Sequence, residues 1–273
     1  MIKPILNIIP VCDLLSPELS FYTTLSEAQL LRYYEPDVGL FLAESPNVIE
    51  RALKAGYEPV SFLAENKYLF PDPHPVFTKF TSVPVYTGEH SLLSAITGFP
   101  MTRGMLAIFR RKKLLSVGEI SKDTKRIVVL EHIMNPTNIG AIFRCAAALN
   151  MDSILLTKDC CDPFYKRASR VSMGTVFQIP WTFLNDTYID NLKNEGFKLV
   201  SMALTGSSIP INSPELLREK KLAIFMGSES TGLNEKTIAS SDYVVKIPMA
   251  HGVDSLNVAA ASAIAFWQLG QPS

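Results

Sequence analysis

A chain of 273 residues, 47% hydrophobic and 19% charged, carries enough apolar material for one large or two modest globular domains. Its 26 basic and 26 acidic side chains cancel, which excludes a charge-driven disordered chain and bulk electrostatic attraction to nucleic acid. Any polyanion has to be met by local patches.

Cys12, Cys145, Cys160 and Cys161 show neither metal-ligand spacing nor a disulfide framework. His74, His90, His132 and His251 are scattered and form neither a metal set nor a triad, so they read as surface or internally satisfied groups. No metal is expected. The apolar start is broken by Pro4, Pro10 and Asp13, and no stretch is long enough to span a bilayer. With cysteines that suit a reducing compartment, a cytoplasmic protein with no membrane partner is expected.

In chain order, residues 1–36 hold short apolar pieces and a small helix begun by Ser26, but match no recognisable module. From Val38 the pattern becomes regular. Val38–Leu42 reads as a strand, and Pro46–Ala55 as an amphipathic helix with Val48, Ala52 and Ala55 inward, closed by Gly56. Strands at Pro59–Leu63, Val83–Tyr86 and Met105–Phe109, with a helix at Glu89–Ile96, complete a small α/β domain assigned to residues 1–115. Charged residues around 110–126 suggest a linker, placed at 116–125. Residues 126–273 form a second domain. It alternates strand Ile127–Leu130, helix Asn138–Leu149, strands Ser153–Thr157 and Val176–Pro180, helix Tyr188–Glu195, strand Lys198–Ala203 and a helix near Pro214–Arg218.

The closing section is the most informative. The apolar run Leu222–Met226 stops at a polar loop bearing Gly227 and Gly232, as a buried parallel strand does on reaching a ligand crevice. A second run, Tyr243–Ile247, ends at Pro248, and Asp254 or Ser255 is expected to cap a helix over Leu256–Leu269. Two strand-end loops and a helix start this close together imply one pocket. Upstream, Asn135 and Pro136 suit the start of a helix whose buried stripe is Ile139, Ile142, Phe143, Ala146 and Ala147. Arg144 lies off that stripe, leaning toward the helix start, either aimed at a phosphate or ribose or simply solvated. Glu229 reads either as an acid or base or as a cap. Lys166, Arg167 and Arg170, beside Phe164 and Tyr165, form either a basic-aromatic patch for a ribose-phosphate backbone with a stacked base or a solvated loop.

Taken in order, three stretches resemble the motifs of the SpoU (TrmH-like) branch of the SPOUT RNA methyltransferases. They are Asn135-Pro136-Thr137-Asn138-Ile139-Gly140 with Arg144; Ile224-Phe225-Met226-Gly227-Ser228-Glu229 with Gly232-Leu233; and Ile247-Pro248-Met249 with Ser255-Leu256-Asn257-Val258-Ala259. Residues 39–56 and Gly104–Ala107 are similar, more loosely, to the small ribosomal-protein-like RNA-binding domain that precedes the catalytic domain in many members.

The resemblance implies an α/β fold, with a parallel sheet and a deep C-terminal trefoil knot in the second domain. It implies a homodimer and a pocket for S-adenosylmethionine built from Leu204, Thr205, Met226, Gly227, Ile247, Met249 and Leu256. It implies 2′-O-methylation of a ribose in structured RNA. Ribosomal RNA is expected over tRNA because of the first domain; the alternatives are a tRNA enzyme or a non-catalytic RNA-binding or ribosome-assembly factor that kept the fold. Arg144 is carried over as the key arginine. Asn138 would hold the RNA or Arg144, Glu229 would orient the network, and Ser255 and Asn257 would complete it.

Overall fold

A computed structural model describes residues 5–11, 16–32, 39–97, 104–228 and 230–270. The chain divides into two compact units, Met1–Lys113 with Phe164–Gly174, and Leu114–Pro163 with Thr175–Ser273.

In the first unit, strands β1 (Ile8–Pro10), β2 (Leu40–Glu44), β3 (Pro59–Glu65), β4 (Val85–Gly88) and β5 (Met105–Arg110) form a mixed sheet in the order β1-β4-β3-β5-β2. The segment that sequence reading leaves unplaced belongs to this unit. Ile8–Pro10 pairs in parallel with Val85–Thr87, and Leu19, Tyr22 and Leu30 are buried beside Leu40, Leu63 and Ile108. The helix Glu27–Leu31 starts at Ser26, whose hydroxyl and the Gln29 side chain form a capping box. Helix Pro46–Lys54 buries Val48 and Ala52, whereas Ala55 follows the helix and is only half-buried.

The segment Phe164–Gly174 also packs within this unit. The Phe164 ring is 2% exposed and lies 4.8 Å from Phe41 and 5.4 Å from Tyr57, with the Arg111 guanidinium 4.7 Å above it. A ring held this way cannot stack a base, so Phe164, one of the two aromatics of the expected basic-aromatic patch, is packing instead.

The second unit is a seven-stranded, wholly parallel sheet. Its strands are β6 (Arg126–Glu131), β7 (Ser153–Leu156), β8 (Trp181–Phe183), β9 (Lys198–Met202), β10 (Ile209–Pro210), β11 (Leu222–Gly227) and β12 (Tyr243–Lys246), in the order β10-β12-β9-β11-β6-β7-β8. The central strands are buried on both faces, which is why they read as unbroken apolar runs rather than alternating ones. One face packs Ile127, Val129, Leu155, Leu199, Ala223 and Phe225 together. Phe225 is wholly buried, and truncating such a ring costs roughly 3–5 kcal/mol.

Two expectations shift. Residues 116–125 include the helix Val117–Ser121, and its Val117 and Ile120 enter the core of the parallel sheet. The strand expected at Val176–Pro180 is instead a 3-10 turn, Thr175–Phe177, followed by β8. Pro180 has no N–H to offer a ladder; its carbonyl accepts from Ile154 N at 3.0 Å, and pairing begins at Trp181.

Candidate active site

A pocket of about 370 Å³ lies at the carboxyl ends of β9, β11 and β12. The seven residues expected to hold a cofactor (Leu204, Thr205, Met226, Gly227, Ile247, Met249 and Leu256) all line it, as does Ser255. Three strand-end loops meet here, the arrangement that parallel sheets use for ligand crevices.

Each wall has its own local anchor. After β9, Thr205 N donates to Ser208 Oγ at 2.7 Å, and that hydroxyl donates to Ala203 O at 2.8 Å, which closes a tight turn. After β11, Gly232 N donates to Ser228 O at 2.9 Å and Gly232 takes φ +68°, so the loop folds straight back on the strand end. A Cβ on Gly227 would sit 2.3 Å from the Gly232 carbonyl carbon. Gly227 is therefore required first by the loop's own backbone.

The loop is tied down from beneath by Glu131, a residue missed in the sequence. Its carboxylate is 2% exposed and stands in register with Gly227. It accepts from Thr237 Oγ1 at 2.7 Å, Asn234 N at 3.1 Å and the Tyr188 hydroxyl at 3.3 Å. Asn234 in turn caps helix Glu235–Ser240. Burial pushes the Tyr188 phenol up, which keeps it protonated as a donor. A charge closing an apolar strand run was the available signal.

The first-motif helix, Pro136–Ala148, begins at Asn135, whose Oδ1 accepts from Thr137 N at 2.8 Å. Asn150 follows it at φ +60°, a conformation that asparagine tolerates. Asn138 is buried and accepts a hydrogen bond from Asn257 Nδ2 at 3.2 Å, so the first and third motifs are linked directly. Arg144 is exposed on this helix, and neither it nor Asn138 lines the pocket. The last helix spans Val258–Leu269 and is capped by Asn257, whose Oδ1 accepts from Ala259 N and Ala260 N, rather than by Asp254 or Ser255. Those two instead line the pocket. Glu229 lies outside the described residues.

Lys166, Arg167 and Arg170 fall on the short helix Lys166–Val171 in the first unit. Arg167 is exposed. Arg170 faces Glu44 at 3.4 Å, and Lys166 is half-buried with its backbone N bonded to Glu27. Burial lowers the Lys166 ammonium pKa, against the pull of Glu44 and Glu27. Acidic neighbours thus occupy part of the expected patch. Among the described residues no cluster of potential metal ligands occurs, and no helix is long and apolar enough to cross a membrane.

Comparison with known proteins agrees with the three motifs. The profile of the SpoU rRNA methylase family matches residues 125–267. An uncharacterized tRNA/rRNA methyltransferase of Mycobacterium bovis is 31% identical over 96% of this chain and 92% of its own. A 23S rRNA guanosine 2′-O-methyltransferase of Bacillus subtilis is 25% identical over 84% and 88%. In fold, the chain is similar to an AdoMet-bound rRNA methyltransferase from Sinorhizobium meliloti, with a TM-score of 0.83 and 23% identity over 96% and 97% of the two chains. With its fold, its three ordered motifs and the profile match in agreement, the chain belongs to the SpoU family of RNA methyltransferases.

Proposed function

We propose that this protein transfers the methyl group of S-adenosylmethionine to a ribose 2′-hydroxyl in structured RNA, ribosomal RNA in preference to tRNA. The observation that carries this reading is the pocket formed by all three strand-end loops, with every expected cofactor residue on its wall. Its size falls within the range of small-molecule sites, and its lining is fit for the cofactor: Met226, Ile247, Leu256 and Val258 supply apolar surface, and the loops supply backbone polar groups. When bound, the cofactor supplies an electrophilic sulfonium methyl. The 23S rRNA activity named for the Bacillus subtilis relative supports the rRNA preference.

The protein's task is to hold the hydroxyl in line and order the RNA around it. Arg144, exposed on the first-motif helix, grips the 2′-oxygen and an adjoining phosphate; a guanidinium stays protonated and acts as donor only. Asn138 and Asn257 hold that helix to the start of the last one. Ser255 orients the substrate at the pocket rim. Arg167 adds a phosphate contact, while Lys166 and Arg170 are shared with glutamates. The trefoil knot of the family fits a last helix that packs on the first-motif helix. A cytoplasmic homodimer is the working form. Ile264 and Trp267, 39% and 62% exposed on the last helix, give its interface an apolar face.

Calorimetric titration with S-adenosylmethionine, followed by methyl transfer to unmodified 23S rRNA and tRNA transcripts, tests the reading. Saturable binding is expected, lost in Ala261→Phe, whose side chain would fill the pocket, with label in alkali-resistant dinucleotides of the rRNA. A folded protein that binds no S-adenosylmethionine would sink it.

A further inference from the structure

The last helix, Val258–Leu269, meets the cofactor pocket at one end only. Val258 and Ala261 line the pocket, and Leu269 closes the helix at the other end. At 1.5 Å per residue the two ends lie roughly 17 Å apart. The near end is held by Asn257, which caps it and reaches Asn138. The far end is held by a side chain from another element.

Arg126 opens β6 and turns its guanidinium onto backbone carbonyls. Nε donates to Leu269 O at 2.6 Å, Nη1 to Lys220 O at 2.8 Å and Lys125 O at 3.1 Å, and Nη2 to Glu219 O at 3.1 Å. One planar group thus joins the start of β6, the approach to β11 and the end of the last helix. Its own root is fixed, since Asp152 Oδ2 accepts from Lys125 N at 2.7 Å and Arg126 N at 2.8 Å. Burial works against the charge, and Asp152 supports it. A half-buried guanidinium bonded to neutral carbonyls fixes positions rather than neutralising an anion.

Leu269 O is among the carbonyls that a helix leaves unpaired at its C-terminus, where the helix dipole also favours a cation. The next residue is as closely fitted. A Cβ on Gly270 would lie 2.1 Å from Leu149 O, at the end of the first-motif helix. The last helix cannot shift along its axis or over the first-motif helix without breaking these contacts. A helix is stiff along its axis, so a shift at Leu269 is carried to Val258 and Ala261.

Building on the binding of S-adenosylmethionine in this pocket, we propose that Arg126 is a positioning residue for the cofactor. It lies outside the pocket lining and acts through the last helix, whose axial place it sets. The wall that Val258 and Ala261 present to the cofactor is placed with it.

The test is S-adenosylmethionine affinity by calorimetry, each variant held well below its melting transition. Arg126→Ala should bind roughly 10-fold more weakly, a common size for coupling between separated sites. Arg126→Lys keeps the charge but not the planar fork and should lose about threefold or more; it decides the matter if Arg126→Ala does not fold. Ethylguanidinium, which replaces the deleted atoms, should restore part of the Arg126→Ala affinity, whereas ethylammonium should not. Leu192→Ala, a core truncation outside the pocket, destabilises the fold but should keep affinity within about twofold. Hydrogen exchange gives an independent readout. A simple end cap would speed exchange in the last turn only, at Gly270 N. The positioning role requires faster exchange at Ala261 N as well, which bonds Asn257 O in the first turn. Affinity of both Arg126 variants within about twofold of wild type, or exchange altered in the last turn alone, would overturn the proposal. A wild type that binds no S-adenosylmethionine would overturn the cofactor reading on which it rests, and the positioning role with it.

Discussion

Among the described residues, three strands end in a buried glutamate, and the two sheets treat it differently. In the mixed sheet, Glu44 at the end of β2 faces Arg170 at 3.4 Å, and Glu65 at the end of β3 meets Lys67 at 2.7 Å and His90 at 3.0 Å. In the parallel sheet, Glu131 at the end of β6 is held by a hydroxyl, a phenol and a backbone N–H. Cations neutralise a charge wherever they can reach it, and Lys67 does so from a side chain 62% exposed. Neutral donors orient it, because each is fixed by the element that carries it. Two of the three donors to Glu131, Asn234 N and Thr237 Oγ1, come from the start of the helix that follows the Ser228–Leu233 loop, so its carboxylate acts as a fastening for the pocket wall.

Breaking that fastening should give the largest effect. Glu131→Ala orphans the buried Thr237 hydroxyl, at roughly 1–3 kcal/mol, and two partly buried donors at less, so a loss of about 2–3 kcal/mol is expected by urea denaturation. A loss below 1 kcal/mol would mean that water replaces the carboxylate, and that the contrast with the mixed sheet is empty. Asn257→Ala removes the cap of the last helix and its link to Asn138 together. The expected cost is roughly 1–2 kcal/mol in thermal melts, with Asn257→Asp keeping the cap but not the donor. The smallest effect belongs to the cations. Lys67→Ala should cost less than about 1 kcal/mol, since the ammonium is largely in water.

A pH series sharpens the same contrast. Burial works against ionisation of Glu65, but hydrogen bonds from Lys67 and His90 prevail and hold its pKa below the ordinary 4.5. Its contribution is therefore present in full above that value and is lost as the pH falls through the lower folded value. Acid titration of the Lys67→Ala melting temperature should show a shallower loss there than wild type.

The parallel sheet was legible because strands buried on both faces write uninterrupted apolar runs, and the pocket because two of those runs stop at Gly227 and Pro248 just ahead of a helix start. What stayed hidden depends on contacts across the sequence. Phe164 is an ordinary loop aromatic until Phe41 and Tyr57 enclose it. Glu131 looks like the polar end of a strand until Thr237 and Asn234, over a hundred residues later, arrive above it. Asp254, Ser255 and Asn257 are all capping residues, and only the backbone path decides which of them caps. Strand β1, three residues long, is too short to leave a pattern.

The backbone contact at Gly227 has a consequence for anyone who would redesign the enzyme for enlarged cofactor analogues. The strand end cannot be carved or padded, because any side chain there collides with the returning loop before it reaches a ligand. Room for a bulkier transferable group has to come from the two facing walls, by trimming Leu204 or Met249. The pocket thus has one rigid jaw and two adjustable ones, and directed libraries belong on the adjustable pair.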